Sequence, residues 1–189
     1  MLATLQQALK EWSVAVEALA QGETILLLRK GGLRDVGDRF QVQQKHVVLL
    51  PTYEHPNPAA LKPIYAARLT ACPVSSGAGS VVLTSWATIT AAWPLTDRAV
   101  GDRLAPFHVW SPAGLATRWQ WRSQQPLMVL LLRVYRLATP HRLLLRPQDR
   151  GCRSWLELAE PISLAGSQPV LDTATYEQQV AAIRQAIGL

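Results

Sequence analysis

Apolar residues recur at three- and four-residue spacing through the first twenty positions. Leu5, Leu9, Trp12, Val16 and Leu19 fall on one stripe, which predicts an amphipathic helix from about Thr4 to Ala20 with Gly22 as its stop. The pattern then changes. "ETILLLRK" is apolar without alternation, the mark of a strand covered on both faces. "KGGLRDVGD" reads as a glycine-rich turn leading to two short strands, "RFQVQ" and "KHVVLL", in a meander or hairpin. Four prolines punctuate "PTYEHPNPAALKP", which leaves room for a loop with at most one helical turn.

The second half opens with "PVSSGAGS" (73–80), a stretch suited to a flexible excursion. In "SVVLTSWATITAAW", Thr84, Trp86, Thr88 and Thr90 alternate with Leu83, Ser85, Ala87 and Ile89, as in a strand. "TDRAVGDRL" starts with a capping Thr96 or Asp97 and predicts a short helix, and "PFHVW" is extended. In "SPAGLATRWQWRS", Ser111 takes a cap position and Pro112 the first helical one. "LMVLLLRVYRLA" is the strongest strand, with "HRLLLR" as its hairpin partner and "SWLELAE" as a last short strand. From about Asp172, Tyr176, Val180, Ile183 and Ile187 return to helical spacing, with Gly188 beyond them.

Strands that cluster instead of alternating with helices argue for an α+β fold. The expected architecture is a mainly antiparallel, curled and barrel-like sheet with N-terminal, mid-chain and C-terminal helices packed on it. The length of 189 residues suits a single domain spanning 1–189, and 49% hydrophobic against 17% charged residues is a globular composition. The longest apolar run, "PLMVLLL", falls far short of the roughly 20 residues a spanning helix needs, so no membrane is expected as a partner. Glu11 and Glu17 interrupt the opening segment, which does not read as a secretory signal. Cys72 and Cys152 stand alone, which fits a reducing cytoplasm and offers neither a disulfide framework nor a zinc site.

Charge changes this picture. Residues 97–153 hold ten arginines against Asp97, Asp102 and Asp149, whereas the rest of the chain is nearly neutral. Six of the seven tryptophans lie between Trp86 and Trp155, and arginine outnumbers lysine 15 to 4. Arginine suits bidentate recognition of phosphate, although a GC-rich genome produces the same bias without any function.

At "LKEWSVAVEALAQGETILLLRKGGLRD", "LLPTYEH", "LLRVYRL" and "GCRSWLEL" the chain resembles a bacterial, mainly cyanobacterial, family known as domain of unknown function 1802. None of these motifs is a known catalytic signature. The resemblance implies an uncharacterised soluble domain, sometimes found with restriction-endonuclease-like domains, and hence a part in DNA restriction or modification. The chain departs from the family's pattern at Asp35, near which the family has a glutamate, and at Pro56, where it has a glutamine.

Four constellations carry candidate chemistry. In "DVGDRFQVQQK", Asp35 or Asp38 with Gln43 and Lys45 supplies the residue types with which a restriction-type nuclease holds magnesium, against the plain alternative of a solvated turn. "RKGG" presents Arg29, Lys30 and a backbone nest to a phosphate, or is simply a hairpin turn. "PTYEH" sets Glu54 beside His55 on a loop, an acid/base couple if the two point together. In "RWQWR", helical spacing sends Trp119 inward, on one face with Arg122, and leaves Trp121 at the boundary beside Arg118. Arg133 and Arg136, on the following strand, could reach the same rim. The leading expectation is nucleic-acid binding, to DNA or RNA, through Arg118, Trp121, Arg122, Arg133 and Arg136, with no cofactor. The alternatives are a metal-dependent phosphodiesterase using Glu54, His55, Lys30, Asp35 and magnesium, and a protein-interaction module anchored by tryptophan and arginine.

Overall fold

Strand β1 (Thr4–Trp12) explains much of the architecture, because it is paired along both edges and buried from Ala8 to Glu11. A computed structural model of the chain describes residues 2–30, 41–54, 57–71, 79–151 and 153–189. The predicted first helix is half wrong: only α1 (Ser13–Ala20) is helical, and the nine residues before it are extended. Ala8, Leu9, Lys10 and Glu11 are all buried, so neither a helical stripe nor strand alternation describes them. β1 pairs parallel with β3 (His46–Thr52), setting Trp12 beside Thr52, and antiparallel with β6 (Trp155–Ser163).

The remaining strands are antiparallel. β2 (Leu26–Arg29) pairs with β5 (Leu127–Leu144), β5 with β4 (Ser80–Leu95), β4 with β3, and β7 (Gln168–Pro169) with the middle of β5. The sheet has seven strands in the order β2-β5-β4-β3-β1-β6, with β7 beside β5. "HRLLLR" begins as the far end of β5 itself and is not a hairpin partner to it; it pairs with the start of β4, with Ser80 opposite Leu144. Register shifts between Leu83 and Ser85 and between Ile89 and Ala91 bend this long ribbon. Along β3, Val47 and Leu49 enter one apolar cluster while Val48 and Leu50 enter a second, so the strand is covered on both faces.

Helices α2 (Pro63–Ala71), α3 (Arg98–Arg103), α4 (Pro112–Gln120) and α5 (Thr173–Ile187) complete the fold. Asp97, one of the two capping residues expected for α3, and Ser111, expected for α4, each accept a backbone N–H at the helix start; Asp172 does the same for α5, and Gly188 closes α5 in the left-handed region, as expected. α2 was not foreseen. "PFHVW" is a short 3-10 turn at Ala105–Phe107, followed by a bridge from Trp110 to Leu61. α4 lies so close to the Pro58–Ala60 turn that a Cβ on Gly114 would meet the Ala60 carbonyl oxygen at 2.0 Å. The glycine-rich turn (31–40) and most of the 73–80 stretch lie outside the described residues. Of the predicted strand "RFQVQ", the described part, Gln41, Val42 and Gln43, is not in a strand.

The sheet curls without closing into a barrel. Its seam is crossed by side chains: Arg29, on edge strand β2, donates to Glu11 Oε2 of β1 at 2.6 Å and to Ser154 Oγ, just before β6, at 2.8 Å. Both partners of the ion pair are largely withdrawn from solvent, with side-chain exposures of 12% for Arg29 and 2% for Glu11. Below this seam His108 is buried, and burial, with Lys62 and Arg118 nearby, pushes its imidazole down to about 4.

Two outcomes are expected. Glu11→Gln leaves the Arg29 charge buried without its counter-ion and lowers unfolding stability in urea by about 3–5 kcal/mol, and a Glu11→Gln/Arg29→Met double variant recovers part of that loss. For His108, the folded state holds its proton less tightly than the unfolded chain. Its contribution is therefore complete above pH ~6.5 and disappears as pH falls toward about 4. Across that window stability drops by about 3 kcal/mol, and His108→Gln flattens the slope of unfolding free energy against pH.

Candidate functional site

The parallel pairing of β1 and β3 brings the carboxyl ends of both strands to one rim, where the end of β2, the last turn of α4 and the loop before β6 also arrive. Together they enclose a cleft of about 250 Å³. Its walls carry five cations, Lys10, Arg29, Lys30, Arg118 and Arg153, against two carboxylates, Glu11 and Glu54.

Most of these charges are committed to the fold. Lys10, 7% exposed, donates to the carbonyls of Asp149 at 2.6 Å and Gly151 at 3.0 Å and stands 3.7 Å from Glu54. Glu54 in turn accepts the Gly151 N–H at 3.1 Å on each carboxylate oxygen. Lys30 donates to the carbonyls of Arg118 and Trp119 at 3.0 and 3.1 Å, satisfying the end of α4. Burial, with Arg98 adding repulsion, lowers its ammonium below the ordinary lysine value. "RKGG" therefore does not present its two cations side by side to a phosphate. Arg29 and Lys30 diverge, one to the seam and one to α4.

Arg118 is different. Its guanidinium lies 3.4 Å from the centroid of the Trp110 ring, and Trp110 packs edge-on against Trp12 with centroids 5.0 Å apart. Among the described residues no acceptor takes a hydrogen bond from this guanidinium, although it lines the cleft. Burial lowers its pKa to about 10, with Glu11 opposing that fall and Arg29 adding to it, so the group remains charged at neutral pH. A partly desolvated, flat, charged fork whose donors are uncommitted among the described residues is suited to an oxyanion ligand.

The other predicted residues are dispersed. Trp119 is buried against Gly101, as the helical spacing implied, and Trp121 is 47% exposed. The arginine nearest Trp121 is Arg122, at 5.6 Å from the ring centroid, while Arg118 turns to Trp110. Arg133 stacks on Tyr176 at 4.6 Å and donates to the Asp172 carbonyl. Arg136 donates to the carbonyl of Ala20 at the end of α1. None of these three arginines lines the cleft. Glu54 and Lys30 do share it, but Asp35, Asp38 and His55 lie outside the described residues, and Gln43 and Lys45 are not among its lining residues. Among the described residues no three His, Cys, Asp or Glu side chains cluster so as to hold a metal ion. No described helix is long and apolar enough to cross a membrane.

Sequence reading missed Lys10, Glu11, Trp12 and Arg153 as cleft residues, and Trp110 as the ring on which Arg118 stacks. The available signal was the adjacent Lys10–Glu11 pair on an otherwise apolar segment, which was absorbed into the polar face of a helix.

Among curated proteins none matches the sequence. Among solved structures the chain is similar to ASCH from Zymomonas mobilis. A serine-to-alanine mutant of that protein aligns with a TM-score of 0.48 and 9% identity, over 93% of this chain and 94% of that one. The unmutated protein aligns with a TM-score of 0.45 and 10% identity, over 93% of each chain. Residues 8–182 match the model of the family described as Domain of unknown function (DUF1802), and the chain belongs to that family.

Proposed function

We propose that this protein binds nucleic acid and that the cleft at the seam receives a phosphate of the bound strand. The observation that carries this reading is Arg118: a guanidinium stacked on Trp110, partly desolvated and without a protein acceptor among the described residues, in a cleft where cations outnumber carboxylates. Lys10 and Lys30 are fixed by backbone carbonyls and Arg29 by Glu11 and Ser154, so the field at the cleft is largely set before a ligand arrives. Trp121, exposed just beyond α4 with Arg122 beside it, offers a separate stacking surface. Arg133 and Arg136 add to the long-range field without entering the cleft. DNA restriction or modification, the setting implied by the family resemblance, is one in which such binding would act.

Fluorescence anisotropy with labelled RNA and DNA strands of roughly ten nucleotides tests this reading. Binding is expected at about 50 mM salt and should weaken steeply as salt rises. Arg118→Ala should raise Kd by about 30-fold, and Arg118→Lys should recover only part of that, because the charge returns without the planar fork. Absence of binding by either strand at about 50 mM salt overturns the proposal.

A further inference from the structure

The cleft does not stand alone. Beyond the Lys10–Glu54 pair lies a second hollow of about 280 Å³, lined by Tyr53, Val81, Leu145 and Arg150. Outside β6 lies a third, of about 430 Å³, lined by Arg146, Gln148, Arg153 and Trp155. Neighbouring hollows share walls. Lys10, Thr52 and Glu54 border both the second hollow and the cleft, and Arg153 borders both the cleft and the third hollow.

One segment banks all three: Leu145 and Arg150 face the second hollow, Gly151, Arg153 and Ser154 the cleft, and Arg146, Gln148, Asp149 and Arg153 the third. This bank is held in place from several sides. Arg146 donates to both carboxylate oxygens of Asp149, at 3.0 and 2.9 Å, and to the Glu157 carbonyl at 2.6 Å. Lys10 binds the carbonyls of Asp149 and Gly151 from beneath. Arg150 and Arg153 remain exposed along its crest.

Each hollow therefore combines an aromatic ring with a guanidinium: Tyr53 with Arg150, Trp12 with Arg118 and Arg153, and Trp155 with Arg146 and Arg153. A repeated pairing of ring and cation complements a polymer that alternates base and phosphate. It does so only where the bases are unpaired, because a duplex keeps its base faces stacked inside. We infer that the three hollows form one groove for single-stranded nucleic acid, about one nucleotide to each hollow, with residues 145–151, 153 and 154 as its bank. The inference rests on the phosphate-binding reading of the cleft and extends it to a length and a strand state.

The test is a titration of oligo-uridylate and oligo-deoxythymidylate of one to five nucleotides, together with a mixed-sequence RNA or DNA duplex. Affinity is expected to rise by about tenfold with each nucleotide up to three and only slightly thereafter, and the duplex should bind at least about tenfold more weakly than a single strand of its own length. Arg150→Ala, which removes an exposed side chain at one end of the groove, should weaken trinucleotide binding about fivefold. Affinity that is flat with length but still abolished by Arg118→Ala overturns the groove and retains the cleft. A duplex bound as tightly as a single strand also overturns the groove. No binding at any length removes the cleft reading itself. A length-dependent response to only one of the two polymers supports the groove.

Discussion

The pair between Glu11 and Arg29 holds together two parts of the sheet that its hydrogen bonding leaves apart. β2 and β1 are separated by three strands along the ladder, yet their side chains meet at 2.6 Å. That contact requires the sheet to roll until its edges approach. Two charges out of water are costly, and a buried ion pair is not in itself a strong source of stability. Its value here is geometric. The guanidinium is shared between Glu11 and Ser154, which fixes how far the edges may close, and Glu11 is steadied by the N–H of Trp12 at 2.8 Å. Everything that lines the cleft is placed by that limit.

The positive charge of the chain divides into two kinds. Lys30, Lys62, Arg103 and Arg136 donate to backbone carbonyls that helices or turns leave unpaired, so they serve the fold as caps. Much of the basic excess of residues 97–153 is therefore spread around the molecule and does not share a face. The arginines that do gather are Arg118, Arg146, Arg150 and Arg153, around one loop. Net charge alone does not separate cations that cap from cations that face a cleft; the hydrogen-bond partners do.

Local signals were legible wherever local physics decides. The caps at Asp97, Ser111 and Asp172, the strand alternation from Ser80 onward and the inward turn of Trp119 all follow from neighbours a few residues away. The α+β class and the mainly antiparallel sheet were legible for the same reason. β1 was not, because what makes it a strand lies in β3 and β6, and its two charges find partners far along the chain: Glu11 at Arg29, Lys10 at Asp149 and Gly151. Without those partners, Lys10 and Glu11 look like the wet side of a helix. The stack of Arg118 on Trp110 was hidden in another way. Trp121, nearer in sequence, was the obvious companion, but α4 ends before it and directs the two residues apart.

The pairing of β1 with β6 has a consequence for how the molecule comes into being. Contacts that join the start of a chain to its last third form only after a large loop has closed, which makes them slow to nucleate. During synthesis, β1 can emerge and α1 can wind, but Lys10 has no carbonyls to bind until Asp149 and Gly151 have left the ribosome. Arg29 likewise waits for Ser154. Until residues 149–154 have emerged, Lys10 and Arg29 lack these partners, so the cleft is walled only once that segment is made.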